Sequence, residues 1–244
     1  MYDLAIVVPA RRGSSRIPNK SMLPFGDAPS LIEWKLRQLV SVIDPARIYL
    51  SSEDEEFLSI AQKLGVSLHK RDLRLATGHI VPMAEVITGI VREIPHEHIA
   101  WCTVVCPLMP PQEYLTAFRR YDEGVINGSF DSLLGVNEMK EYFWFEGKAL
   151  NYQANRNHIS SQDLPGVAKV TNSLYMSPRQ DILDRGYLIG ENPILQDLSR
   201  LSGVDIDYPE DYRFARALYA LYVEDQLDAV DPATRIAWPA LPHH

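Results

Sequence analysis

Hydrophobic positions along the chain follow two alternating periodicities. "LAIVV" (4–8), "RIYLSS" (47–52) and "IAWCTVV" (99–105) are near-continuous apolar, β-branched runs, the pattern of strands covered on both faces in a parallel sheet. Between them the spacing turns helical. Ser30 and Glu33 form a capping-box pattern around the start of a face made by Ile32, Leu36, Leu39, Val40 and Ile43. Ser52 and Glu55 repeat it ahead of Phe57, Leu58, Ala61 and Leu64, with Gly65 as the stop. Two further segments predict crossover helices: 81–94, with Met83, Val86, Ile87, Ile90, Val91 and Ile94 on one face, and 111–123, with Leu115, Phe118 and Tyr121. This alternation predicts an α/β fold with a doubly wound, mainly parallel sheet, whose ligands sit beyond the carboxyl ends of the strands.

After about residue 130 the pattern changes. "DSLLGVNE", "YFWFEGKAL" and "KVTNSLYMS" read as strands around a polar, irregular stretch, so that about 138–170 is expected to be a flap or dimer arm inserted in one domain spanning 1–244. The chain then returns to "VDIDYPEDYRFARALYALY", a short strand and a helix opened by Pro209. No apolar stretch approaches the roughly 18 residues of a membrane span, and the N-terminus lacks the pattern of a signal peptide, so a cytoplasmic protein without a membrane partner is expected. The formal net charge of -8 argues against nucleic acid as a partner, because phosphate-backbone binding needs distributed Lys and Arg. Cys102 and Cys106 have neither the spacing nor the second pair of a metal site, and read as reduced, buried thiols.

Against that acidic background one stretch stands out: "PARRGSSRIPNK" (9–20), directly after the first strand. Gly13, Ser14 and Ser15 let backbone N–H groups turn inward as a nest, while Arg11, Arg16 and Lys20 supply charge-assisted bonds to phosphate oxygens. A nucleoside triphosphate suits that combination. The stretch is not a Walker-type loop, which needs a second glycine and an immediate helix, nor a dinucleotide fingerprint, which needs G-x-G-x-x-G. A second constellation, Asp205 and Asp207 in "VDID", places two carboxylates on one side of an extended strand, as a site for a hard cation, Mg²⁺, accompanying the phosphates.

These residues resemble the cytidylyltransferases that activate acidic sugars, the N-acylneuraminate and 3-deoxy-manno-octulosonate enzymes. Ala10, Arg11, Gly13, Ser14, Ile17, Pro18 and Lys20 are in register with the neuraminate signature, and "PFGDAPSLIEW" (24–34) is similar to the segment that follows it. The resemblance implies a nucleotide-diphospho-sugar transferase-like fold, Mg²⁺ dependence and a homodimer whose arm approaches the neighbouring site. It implies that CMP passes from CTP to an acidic acceptor, acylneuraminate-like or ulosonate-like, with release of pyrophosphate. By the same resemblance, "RDLRLATG" (71–78) brings Arg71 and Thr77 to the nucleotide, while "SQDLP" (161–165) and "TNSLYM" (171–176) bring Gln162 and Asn172 to the acceptor.

The nucleotide set is thus Ala10, Arg11, Gly13, Ser14, Ser15, Arg16, Lys20, Arg71 and Thr77, with Arg11, Lys20 and Asp207 as the catalytic group and Asp205 and Asp207 as metal ligands. Ser15-Arg16 follows the octulosonate pattern rather than the neuraminate Lys-Gly. On the acceptor side, Thr103 stands where the family has a glutamine, Met109 and Ser161 where it has arginines, and Gly78 where it has an aspartate, so the residues define the donor better than the acceptor. His79 and His158 read as ordinary polar residues rather than general bases. A transferase with another acceptor, such as a phosphorylated or phosphonate compound, a sugar-1-phosphate transferase using UTP, GTP or dTTP, and a non-catalytic nucleotide-binding protein are the alternatives.

Overall fold

A computed structural model describes residues 2–77 and 80–223; Gly78, His79 and the closing histidines lie outside them. The strands are β1 (Leu4–Pro9), β2 (Ile48–Ser52), β3 (Ser67–Lys70), β4 (His98–Cys102), β5 (Ser132–Met139), β6 (Trp144–Phe145), β7 (Lys148–Ala149), β8 (Val167–Pro178) and β9 (Pro193–Asp197). The helices are α1 (Leu31–Val40), α2 (Glu55–Lys63), α3 (Met83–Arg92), α4 (Pro111–Tyr121), α5 (Arg179–Arg185) and α6 (Pro209–Val223). Seven strands form one sheet in the order β3-β2-β1-β4-β8-β5-β9. All its pairings are parallel except those that β8 makes with β4 and β5.

The period-two alternation of β1 divides the core between the two faces of this sheet. Leu4, Ile6 and Val8 pack with Leu36 and Leu39 of α1, Phe57 of α2, Phe118 of α4 and Ala215 of α6. Ala5 and Val7 pack on the other face with Ile87, Ile90 and Val91 of α3 and Ile182 of α5. Each of the leucine, isoleucine, valine and phenylalanine side chains among them, when fully buried, contributes about 1.5–3 kcal/mol relative to exposure. The buried face of α4 runs through Tyr114, Ala117, Phe118 and Tyr121, keeping the expected Phe118 and Tyr121 but leaving Leu115 at the surface. Met83, expected on the core face of α3, is also exposed.

Two expected elements take a different form. The cap of α2 is Asp54, which accepts from the amides of Glu56 and Phe57, whereas Ser52 accepts from Asp54 N. A distant partner decides this shift: Arg12 straddles the Asp54 carboxylate with Nε and Nη2 and lies 4.9 Å over the Phe57 ring. Asp54→Ala is therefore expected to lower stability by about 1–2 kcal/mol, the cost of losing a helix cap, read as a shift of the urea midpoint.

The second difference is "VDID", which forms no strand; Ile206 N donates to Val105 O at 3.0 Å and ties the segment to the residues after β4. β3, β9 and α5 escape the hydrophobic pattern because they are short. In the expected arm, β6 and β7 form a hairpin whose turn residues Glu146 and Gly147 both have positive φ, 49° and 76°, the geometry of a type I′ turn.

Candidate active site

The strand order places the site. The chain runs outward from β1 through β2 to β3 and then returns to β4 on the other flank of β1, so the loops after β1 and β4 diverge and open a crevice at their carboxyl ends. A cleft of about 390 Å³ fills that crevice, floored by Pro9, Ala10, Trp101 and Thr103. Its cationic wall is the β1 loop, with Arg11, Gly13, Ser14, Ser15, Arg16 and Lys20; its apolar wall includes Leu75, Val81, Met83 and Val86.

The β1 loop is held by its alternate residues. Ala10 N donates to Ser51 O at 3.0 Å, and Arg12 N donates to Glu53 Oε1 at 3.0 Å. Arg71 Nη2 bridges Ala10 O at 2.6 Å and Glu53 Oε2 at 2.7 Å. With residues 10 and 12 pinned to the end of β2, Arg11 faces the cleft and has no hydrogen-bond or ion-pair partner among the described residues. A short 3-10 turn, Lys20–Met22, opens at Asn19 in the left-handed region, φ 52°, and directs Lys20 Nζ to Ile206 O at 2.5 Å.

Asp207 faces this wall, with Arg16 Nη1 2.6 Å and Lys20 Nζ 3.4 Å from its carboxylate. Arg16 also lies 5.0 Å over the Tyr208 ring. Burial pushes the Asp207 carboxyl upward, but the Arg16 hydrogen bond and the Lys20 charge outweigh it and hold the group below its ordinary value. Asp205 is the opposite case: burial raises its proton affinity, the Asp207 charge adds to the rise, and Asn172 only partly offsets it. One of its oxygens, Oδ1, is buried with no hydrogen-bond partner.

Asn172 links residues expected on the acceptor side. It sits in β8 with φ 57°, a left-handed conformation Asn tolerates better than most residues. Its Nδ2 donates to Asp205 Oδ2 at 2.9 Å, its Oδ1 accepts from Tyr175 OH at 2.5 Å, and its carbonyl accepts from Thr103 Oγ1 at 2.8 Å. Thr103, Asn172 and Asp205 are thus one hydrogen-bonded unit.

Three expected residues lie elsewhere or are already engaged. Thr77 is exposed and donates to Arg74 O, Gln162 is exposed in the Ser161–Asp163 turn, and Arg71, although it borders the cleft, commits Nη2 to the loop. Met109 is fully buried. Glu53 and Arg12, which fix the loop, carry no assignment from the sequence, where Glu53 is one of four consecutive acidic residues, 53–56, and Arg12 one of three arginines in the loop.

The carboxylate pair suits a hard divalent ion of the Mg²⁺ type, which takes one or two protein carboxylates and completes its shell with substrate phosphates and water. The unpartnered buried oxygen of Asp205 is the feature such an ion would satisfy. Among the described residues, no group of three or more His, Cys, Asp and Glu is arranged to hold a metal without such help.

A mostly parallel sheet with this order and a strand-end crevice with a cationic wall match a nucleotide-diphospho-sugar transferase-like fold. The chain belongs to the cytidylyltransferase family, whose model matches residues 5–171, and is a nucleotidyltransferase. It is 24% identical over 220 residues to a pseudaminic acid cytidylyltransferase of Campylobacter jejuni, covering 87% of this chain and 94% of that one. It is 23% identical over 225 residues to N-acylneuraminate cytidylyltransferase A of Danio rerio, covering 87% of this chain and 50% of that one. Among solved structures, CMP:2-keto-3-deoxy-manno-octonic acid synthetase complexed with CTP superposes with a TM-score of 0.65 at 16% identity, over 90% of this chain and 99% of the other; at that identity the likeness concerns the fold. No helix among the described residues is long and apolar enough to cross a membrane.

Proposed function

We propose that the protein transfers CMP from CTP to an acidic nonulosonic or octulosonic sugar, with release of pyrophosphate. The observation that carries this reading is one cleft lined by a phosphate-sized cationic loop, Asp207 and Thr103, with Asp205, two residues from Asp207, joined to Thr103 through Asn172. Arg11, Arg16, Lys20 and the Gly13–Ser15 backbone would take the β- and γ-phosphates, and Asp205 and Asp207 would hold Mg²⁺. The ion, when bound, would neutralise charge developing on the phosphates.

The chain's own residues supply position. Arg11 is free to engage a phosphate at once, whereas Arg16 and Lys20 must exchange Asp207 for one. The acceptor oxygen forms its bond to the α-phosphorus in line as the bond to the bridging oxygen breaks; the electron pair leaves on pyrophosphate and the hydroxyl proton goes to solvent. Positioning and fixed charge account for such a reaction without a covalent intermediate.

The arm supports the homodimer reading. Trp144, Phe145 and Leu150 are 60%, 63% and 55% exposed, an apolar group that a second copy would cover. The double variant Trp144→Asp, Phe145→Asp is expected to sediment as a monomer; a monomeric wild-type protein would remove the proposal.

The test of function is pyrophosphate release measured with CTP, UTP, GTP and dTTP against an N-acylneuraminate, a pseudaminic acid and a 3-deoxy-manno-octulosonate. Release with CTP and one of these acids is expected. Equal release with another nucleotide and a sugar-1-phosphate would replace this reading by that class, and tight CTP binding without turnover on any acceptor would make the protein a nucleotide-binding one.

A further inference from the structure

Lys35 is a charged group of the interior that the proposed chemistry does not use: its side chain is fully buried in α1, on the face turned toward the segment after β4. Nζ donates to Cys106 O at 2.7 Å and to Tyr114 OH at 2.8 Å. Its neighbours on the helix do the same. Trp34 Nε1 donates to Pro107 O at 2.7 Å, and Gln38 Nε2 donates to Pro107 O at 2.8 Å and Met109 O at 3.2 Å. Three buried side chains of one helix thus satisfy three consecutive or near-consecutive carbonyls of an irregular, buried loop, which by itself has no regular partners for them.

The far side of the same loop is joined to the site. Thr103 Oγ1 donates to Asn172 O, Cys106 Sγ lies 3.2 Å from Thr171 O, and Val105 O accepts from Ile206 N, the residue between the two aspartates. The loop is therefore a bridge between α1 and the acceptor half of the cleft, and among the described residues it makes no hydrogen bond to the phosphate loop. A methionine or leucine at 35 would fill the space without desolvating an ammonium; the burial is severe enough to lower the lysine from 10.5 to about 8. A group so costly to bury is better explained by what it holds than by the volume it fills.

We infer that Lys35, assisted by Trp34 and Gln38, is a positioning residue for the acceptor half of the site: by holding the carbonyls of 106–109 it sets Thr103, Asn172 and the Asp205–Asp207 segment relative to the phosphate loop. This rests on the proposed cytidylyl transfer for its kinetic consequence but not for its structural one.

The test uses the full chain with Lys35→Met, which keeps an unbranched side chain one atom shorter and removes its donors, and Gln38→Leu as the milder second variant. Hydrogen–deuterium exchange read by mass spectrometry is expected to rise at least severalfold in peptides covering 103–110 and 204–207, and to stay unchanged over 9–16. In kinetics, kcat should fall about tenfold or the acceptor KM rise by as much, with the KM for CTP within twofold of wild type. Unchanged exchange at 103–110 in a folded variant overturns the inference, as does equal weakening of CTP and acceptor. Should Lys35→Met fail to fold, Gln38→Leu carries the same two readouts. A wild-type protein inactive on every acceptor would refute the proposed function, and the exchange measurement would still decide the role of Lys35.

Discussion

Asp207→Ala is expected to lower CTP-dependent pyrophosphate release by on the order of a thousandfold, the scale on which removing one preorganised charged or hydrogen-bonding group acts on turnover, while the urea midpoint barely moves. The two effects separate because Asp207 is nearly half exposed and its partner Arg16 equally so. An ion pair of that exposure adds at most about 1 kcal/mol to stability. Loss of the carboxylate removes a ligand from the proposed ion and leaves Arg16 and Lys20 without the anion that orders them before the nucleotide arrives. Arg11→Ala should act in the same direction, with CTP affinity affected first, because Arg11 has nothing to release. Turnover within tenfold of wild type in Asp207→Ala would dismiss the assignment.

The pH dependence of this pair has a definite sign. Arg16 and Lys20 hold the folded-state value of Asp207 below that of the unfolded chain. The corresponding stability is complete above the ordinary carboxylate value, about 4, and is lost only as pH falls through the lower folded value. Assays near neutrality therefore read the chemistry and not the pair's titration.

Arg71→Ala should do the reverse, unfolding the protein more readily as well as weakening nucleotide binding. Arg71 and Glu53 are both largely buried, with side-chain exposures of 3% and 13%. Removing the guanidinium strands the Glu53 carboxylate, a loss of about 3–5 kcal/mol, and frees Ala10 O and the start of the phosphate loop. The combination Arg71→Met, Glu53→Gln should recover part of the stability, since no buried charge is then left alone, but not the CTP affinity, since the loop remains unanchored. Urea denaturation and a CTP titration measure the two arms. If Arg71→Ala keeps full stability and loses only nucleotide affinity, the side chain acts as a base contact and not as the loop's anchor.

The contrast between Arg71 and Arg11 shows how much of the site was legible in the chain. "PARRGSSRIPNK" announces a polyanion site because glycine, small residues and cations follow a buried strand, all of it local information. Which of its arginines is left free for the proposed phosphates is not local. Arg11 and Arg12 are adjacent and chemically identical, yet Arg12 is bound to Asp54 and Glu56 and stacked on Phe57, while Arg11 faces the cleft; only the pinning of residues 10 and 12 to β2 separates them. The same holds for "VDID", where the carboxylate spacing was visible but the unlike states of the two aspartates were not, since one is set by burial beside Asn172 and the other by cations about 190 residues earlier in the chain.

What the sequence determined by itself is the class of fold and the donor side of the chemistry: strand runs apolar throughout, helices with legible caps at Ser30 and a stop at Gly65, and a loop whose residue types suit phosphate. These are properties of short windows, where period and residue type act within a turn or two of the backbone. The tertiary structure alone decided the order of the strands, the cap at Asp54, the engagement of Arg71 with Glu53, the burial of Met109 and Lys35, and the joining of Thr103, Asn172 and Asp205 into one unit. Each of those depends on which distant segment packs against which, and desolvation and hydrogen-bond pairing are settled only there.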